Sequence, residues 1–161
     1  MRLWILLLSV VLLAGCGFQL RGTEAGGNTD LVLPIKAESN LGARIRQKLA
    51  NMGISSEYNG GDYMRVLFLD EKRERSLLGD NGDVTEYLLT STLTYQYVKP
   101  SADTPSVPKK LRVERTYRFN EDQLLASDTQ QTQIQDEMLG DLLNQLLMRW
   151  RKADHSVKPR E

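Results

Sequence analysis

The chain has 161 residues, inside the roughly 100–200 that one domain occupies, and its 21 Lys plus Arg balance 21 Asp plus Glu. A neutral balance leaves no electrostatic footprint for nucleic acid, and 40% hydrophobic with 26% charged residues is a globular composition. One cysteine makes no internal disulfide and no zinc cluster, and one histidine excludes His-rich metal sites and most His-based proton relays.

The apolar content is concentrated at the start. Arg2 precedes an apolar run from Leu3 to Ala14, too short for a finished helix across a ~30 Å hydrocarbon core. A charged residue, an apolar stretch and a small-residue end read as a secretory signal peptide over residues 1–15. Leu13-Ala14-Gly15-Cys16 resembles the bacterial lipobox, and the chain's cysteine sits where that pattern needs it. The expected chemistry is a diacylglycerol on the Cys16 thiol, cleavage before Cys16 and acylation of the freed amine. Each buried methylene contributes about 0.8 kcal/mol, so several chains give stable attachment. Gly17 stands where Asp conventionally retains a lipoprotein in the inner membrane, which favours the outer membrane, periplasmic side.

Gly22 to Asp30 is small and polar, completing an expected lipidated tether over residues 16–30. Leu31 to Ile35 reads as a short strand, kept to an edge or strand end by Pro34. Ser39 and Asn40 are N-cap candidates for a helix whose apolar face is Leu41, Ile45, Leu49 and Met52, with Gly53 as its stop. Arg44, Gln47, Lys48 and Asn51 form its solvated face. Tyr58 to Asp62 is turn chemistry. Tyr63 to Leu69 is an apolar strand that Asp70 to Arg75 extend as a charged strand end, and Asp80-Asn81-Gly82 marks the next turn.

Val84 to Val98 alternates clearly, with Tyr87, Leu89, Leu93, Tyr95 and Tyr97 on one face and threonines mostly on the other. A proline-rich loop from Lys99 to Pro108 leads to a return strand. Leu111, Val113, Tyr117 and Phe119 line its apolar side. Lys109, Lys110, Arg112, Arg115 and Arg118 make it locally basic. Ser127 and Gln130 have capping-box spacing ahead of a long helix. Its stripe is Ile134, Met138, Leu139, Leu142, Leu143, Leu146, Leu147 and Trp150, which reads as core. The expectation is one α+β domain over residues 31–152, ordered β-α-β-β-β-α, with two helices on one face of a four-stranded mixed sheet. Residues 153–161 are expected to be a flexible tail.

The chemistry of catalysis is missing from the pattern. Gly60-Gly61 and Gly79 to Gly82 lack the partners of a phosphate loop, and there is no Gly-x-Ser-x-Gly elbow. His155 falls near the tail. Asp80 and Asp83 do not fit an EF-hand spacing. No enzyme, no metal site and no cofactor beyond the covalent lipid on Cys16 are expected.

Cys16-Gly17-Phe18-Gln19-Leu20-Arg21-Gly22 resembles the mature N-terminus of the LptE family of LPS-assembly lipoproteins. Leu49-Ala50-Asn51-Met52-Gly53 and Thr85-Glu86-Tyr87 fall in matching order, so the resemblance spans essentially the whole chain. It implies a plug inside the lumen of the outer-membrane β-barrel LptD that assists barrel assembly and binds lipopolysaccharide in transit to the cell surface. The return strand would supply the cations. Lys110, Arg112 and Arg118 share the outward parity, together with the competing carboxylate of Glu114, whereas Lys109 and Arg115 lie on the other side. Arg115 is expected to find a carboxylate partner there. A generic outer-membrane lipoprotein adaptor of barrel assembly is the alternative reading.

Overall fold

The structure, a computed structural model, describes residues 31–78, 84–120 and 124–155. The signal peptide, Cys16 and its tether, the turn at Asp80–Asp83 and residues 156–161 lie outside the described residues. The elements are β1 (Ile35–Ala37), α1 (Ser39–Asn51), β2 (Tyr63–Leu78), β3 (Val84–Val98), β4 (Lys109–Arg118) and α2 (Leu124–His155). The four strands lie in sequence order in one sheet. β1 pairs parallel with β2 through α1, and β2-β3-β4 form antiparallel hairpins. This is the expected β-α-β-β-β-α fold on a mixed sheet.

Both helices cover the same face. Ile45 and Leu49 of α1 meet Leu139, Leu142, Leu143, Leu146 and Leu147 of α2 over Met64, Val66, Leu93, Tyr95 and Leu111 of the sheet. A smaller cluster of Leu89, Tyr117 and Met138, flanked by Tyr87, Phe119 and Ile134, closes the other end of α2. The stripe read from the sequence is therefore core. Two ion pairs tie α1 to its neighbours: Arg44 grips Glu71 of β2 with two hydrogen bonds of 3.0 and 3.2 Å, and Lys48 meets Asp136 of α2 at 2.5 Å.

α1 stops as Gly53 dictates. Gly53 has φ +70°, its N–H bonds the Ala50 carbonyl, and the Ile54 N–H reaches back to the Leu49 carbonyl at 2.9 Å. That is a Schellman ending, with Ile54 and Leu49 buried together.

Four local details depart from the sequence expectation. The first strand forms at Ile35–Ala37, because β2 begins opposite Ile35 and upstream contact shrinks to a Val32–Ser55 bridge. The N-cap of α1 is Glu38, without a side-chain cap bond, so Ser39 is already helical. α2 starts at Leu124, which places Ser127 inside the helix; its hydroxyl exchanges bonds with the Asn120 backbone at 3.3 and 3.4 Å instead of capping. Finally, a bulge at Leu67 shifts the register between Val66 and Phe68. Met64 and Val66 face the helices before it and Leu69 after it, so Leu67 and Phe68 are exposed within an apolar run.

Candidate functional site

The helix-free face of the sheet is built by strand alternation. β3 runs down its centre and sends Leu89, Ser91, Leu93 and Tyr95 toward the helices, so Leu88, Thr90, Thr92, Thr94 and Gln96 face away. Register then fixes the rows across this face. Phe68, Thr94 and Lys110 form one row, Asp70, Thr92 and Arg112 the next, and Lys72, Thr90 and Glu114 a third; Arg118 lies opposite Glu86. Thr90 and Thr94 are buried, and neither hydroxyl has a hydrogen-bond partner among the described residues.

The cations expected on the return strand fall on both faces, as parity requires. Lys110, Arg112 and Arg118 are all exposed on the helix-free face. Arg112 is held by Glu114 two residues on, so that carboxylate competes as expected. Lys110 and Arg118 make no ion pair among the described residues. Arg115 lies on the helix side and donates to Asp141 of α2 at 2.7 Å. Lys109 is opposite Tyr95 on that same side.

A second cationic feature was not read from the sequence. Lys36 lies 3.6 Å from the Tyr58 ring centroid and 4.6 Å from that of Tyr63, and Arg65 donates to the Tyr63 hydroxyl at 2.8 Å. Lys36, Tyr63 and Arg65, with Glu38 and Arg46, line a cleft of about 610 Å³ beside β1. The signal was the parity of Lys36 against Arg65, which becomes visible once the first strand is placed at Ile35 rather than Leu31.

Among the described residues no three His, Cys, Asp or Glu side chains come together to hold a metal. Burial raises the Tyr95 phenol above its ordinary value of 10.0, and the nearby Arg149 guanidinium pulls it partly back. Among the described residues no helix is long and apolar enough to cross a membrane.

Fold and surface define a small α+β domain with one helix-covered face and one open, polar, cation-bearing face. Solved structures share this fold: rare lipoprotein B of Shewanella oneidensis has a TM-score of 0.63 at 18% identity, covering 78% of this chain and 98% of that one. Lipoprotein B of Nitrosomonas europaea gives 0.61 at 20% identity, covering 88% and 94%. In sequence, the chain is 29% identical over 147 residues to the LPS-assembly lipoprotein LptE of Pectobacterium atrosepticum, covering 87% of this chain and 79% of that protein. It is 31% identical over 137 residues to LptE of Photorhabdus laumondii, covering 81% and 74%. The family model described as "LptE: Lipopolysaccharide-assembly" matches residues 22–150. The chain belongs to the LptE family of lipopolysaccharide-assembly lipoproteins.

Proposed function

We propose that this chain is an outer-membrane lipoprotein, anchored through Cys16 on the periplasmic side, that plugs the LptD β-barrel, assists its assembly and binds lipopolysaccharide as it passes to the surface. The role is binding, without catalysis. The observation that carries the lipopolysaccharide reading is the open sheet face: with both helices on the other side, Lys110 and Arg118 stand exposed there, without carboxylate partners among the described residues. A polyanionic glycolipid complements such a face, and a polar exterior suits a wet barrel lumen. Membership of the family supports the LptD partner, and the N-terminal lipobox supports the anchor.

The test is the combined Lys110→Asp, Arg112→Asp, Arg118→Asp variant. Each exposed contact contributes about 1 kcal/mol or less because water and salt screen it. Lipopolysaccharide binding by the folded variant should fall severalfold, and the residual binding should depend less on salt. Unchanged binding at low salt removes this face from the site. Affinity capture of the lipoprotein from outer membranes should recover LptD; recovery of a different barrel machinery in its place favours the adaptor reading.

A further inference from the structure

A second cationic cluster lies on the helix side of the sheet, at the end where β3 finishes, β4 begins and α2 terminates. There Lys99, Lys109, Arg149 and Lys152 converge with Met64, Tyr95, Tyr97 and Ser106 around a cleft of about 480 Å³. Its cations come from three separate stretches of chain: the β3–β4 loop, the first residue of β4 and the last turns of α2. None of them belongs to the outward face of the return strand.

Charge compensation in this cleft is incomplete. Lys99 shares Asp62 with the Tyr97 hydroxyl, at 4.0 and 2.5 Å respectively. Lys109, Arg149 and Lys152 make no ion pair with any described residue. Tyr95 adds a second, independent sign. It lines the cleft at 3% exposure, yet its hydroxyl has no hydrogen-bond partner among the described residues. The fully buried hydroxyls without a partner among the described residues are those of Thr90 and Thr94, so the Tyr95 hydroxyl is reached from the cleft it lines. Burial also keeps that phenol protonated, so it stands ready as a donor beside the Arg149 guanidinium. The cluster is a set of donors, one of them nearly buried, that lacks an acceptor.

We infer that this cleft binds a phosphate group carried on a larger molecule, with Lys109, Arg149 and Lys152 facing the phosphate oxygens and the Tyr95 hydroxyl donating to one of them. A divalent oxyanion matches several cations and a neutral O–H donor. The volume exceeds what a bare phosphate fills, and the Tyr95, Tyr97 and Met64 walls offer carbon surface to the remainder of the ester. The shared chemistry is the phosphate; its carrier is either a small soluble ester or an anionic lipid headgroup.

The test uses the full lipidated chain in neutral detergent and compares the parent with the combined Lys109→Gln, Arg149→Gln, Lys152→Gln variant. A matched variant, Arg44→Gln, Arg73→Gln, Arg75→Gln, removes three cations that lie outside this cleft, the Lys36 cleft and the open face. Calorimetric titration with inorganic phosphate and with glycerol 3-phosphate should show the parent binding the ester more tightly. The cleft variant should lose about tenfold or more on both, the product of three screened contacts. The matched variant should stay within about twofold of the parent. Phosphatidylglycerol in phosphatidylcholine nanodiscs displacing the soluble ester identifies a lipid headgroup as the carrier, and retention of the soluble ester identifies a soluble one. Circular dichroism and the thermal midpoint establish that each variant is folded. Equal losses in both variants, or binding by the folded cleft variant equal to that of the parent, overturn the site.

Discussion

The Arg115 guanidinium donates to the Asp141 carboxylate across 2.7 Å, joining the edge strand β4 to the middle of α2. Its parity decided this outcome: Leu111, Val113, Arg115 and Tyr117 all point toward the helices, so a cation in a locally basic strand became a link between two elements. Both side chains keep about half their surface in water, at 54% and 42% exposure, so screening limits the pair. A double-mutant cycle with Arg115→Ala and Asp141→Ala should give a coupling of about 0.2–1 kcal/mol that shrinks in high salt. A coupling well above that range overturns the screened-pair account.

Leu146 is 0% exposed and sits in the main core. Leu146→Ala should cost about 2–5 kcal/mol, from lost transfer energy plus the cavity left behind. Denaturant unfolding measures this directly, and a negligible shift in midpoint would make the α2 stripe a partner surface instead.

Gly53 is the residue at which α1 must stop. At φ +70° a side chain carries a steric cost of about 1–2 kcal/mol, although nothing lies within 4 Å of the added carbon. Gly53→Ala should therefore destabilise by about that amount through backbone strain alone. Gly53→Asn, which tolerates the left-handed region better, should recover part of it, as thermal unfolding of the three proteins would show.

Tyr95 makes stability fall at alkaline pH. Its folded pKa is raised by burial, partly offset by Arg149, so the folded state favours the neutral phenol. That contribution is fully present below the unfolded value near 10 and is lost as pH rises through the raised folded value. The unfolding free energy of the parent should therefore decline more steeply than that of Tyr95→Phe from about pH 9 upward. Parallel curves would mean that Tyr95 ionises as freely in the folded protein as in the unfolded chain.

Cys16→Ala tests the anchor. Cells producing it should accumulate uncleaved precursor without lipid label if, as proposed, the Cys16 thiol is the acceptor and its modification precedes cleavage. Normal labelling of the variant would place the lipid elsewhere.

How far the sequence could be read depended on whether the deciding force was local. The β3 alternation and the α2 stripe are periodic over many residues, so their buried faces were legible from Tyr87 to Tyr97 and from Ile134 to Trp150. Gly53 was legible because a helix end is set within a few residues. The bulge at Leu67 was not, since it follows from how β2 must match β3, and Leu67 and Phe68 look like core residues in isolation. Ser127 had capping chemistry, but the helix begins at Leu124 and the Ser127 hydroxyl bonds the Asn120 backbone instead. On the candidate faces, parity separated Lys110, Arg112 and Arg118 from Lys109 and Arg115. The gathering of Lys109 with Arg149 and Lys152 depended on where α2 comes to rest, a relation between residues forty apart that no local pattern encodes.

α2 supplies Leu139, Leu142, Leu143, Leu146 and Leu147 to a core whose remaining members are all earlier in the chain. The helix made after every other core member is thus the one that completes the hydrophobic interior. Until residues 139–147 emerge, Met64, Val66, Leu93, Tyr95 and Leu111 have only Ile45 and Leu49 of α1 to cover them, and the sheet lacks much of the apolar burial that stabilises it. The order of elements builds in a delay: the growing chain lacks its full core, and so stays loose, until most of it has been made.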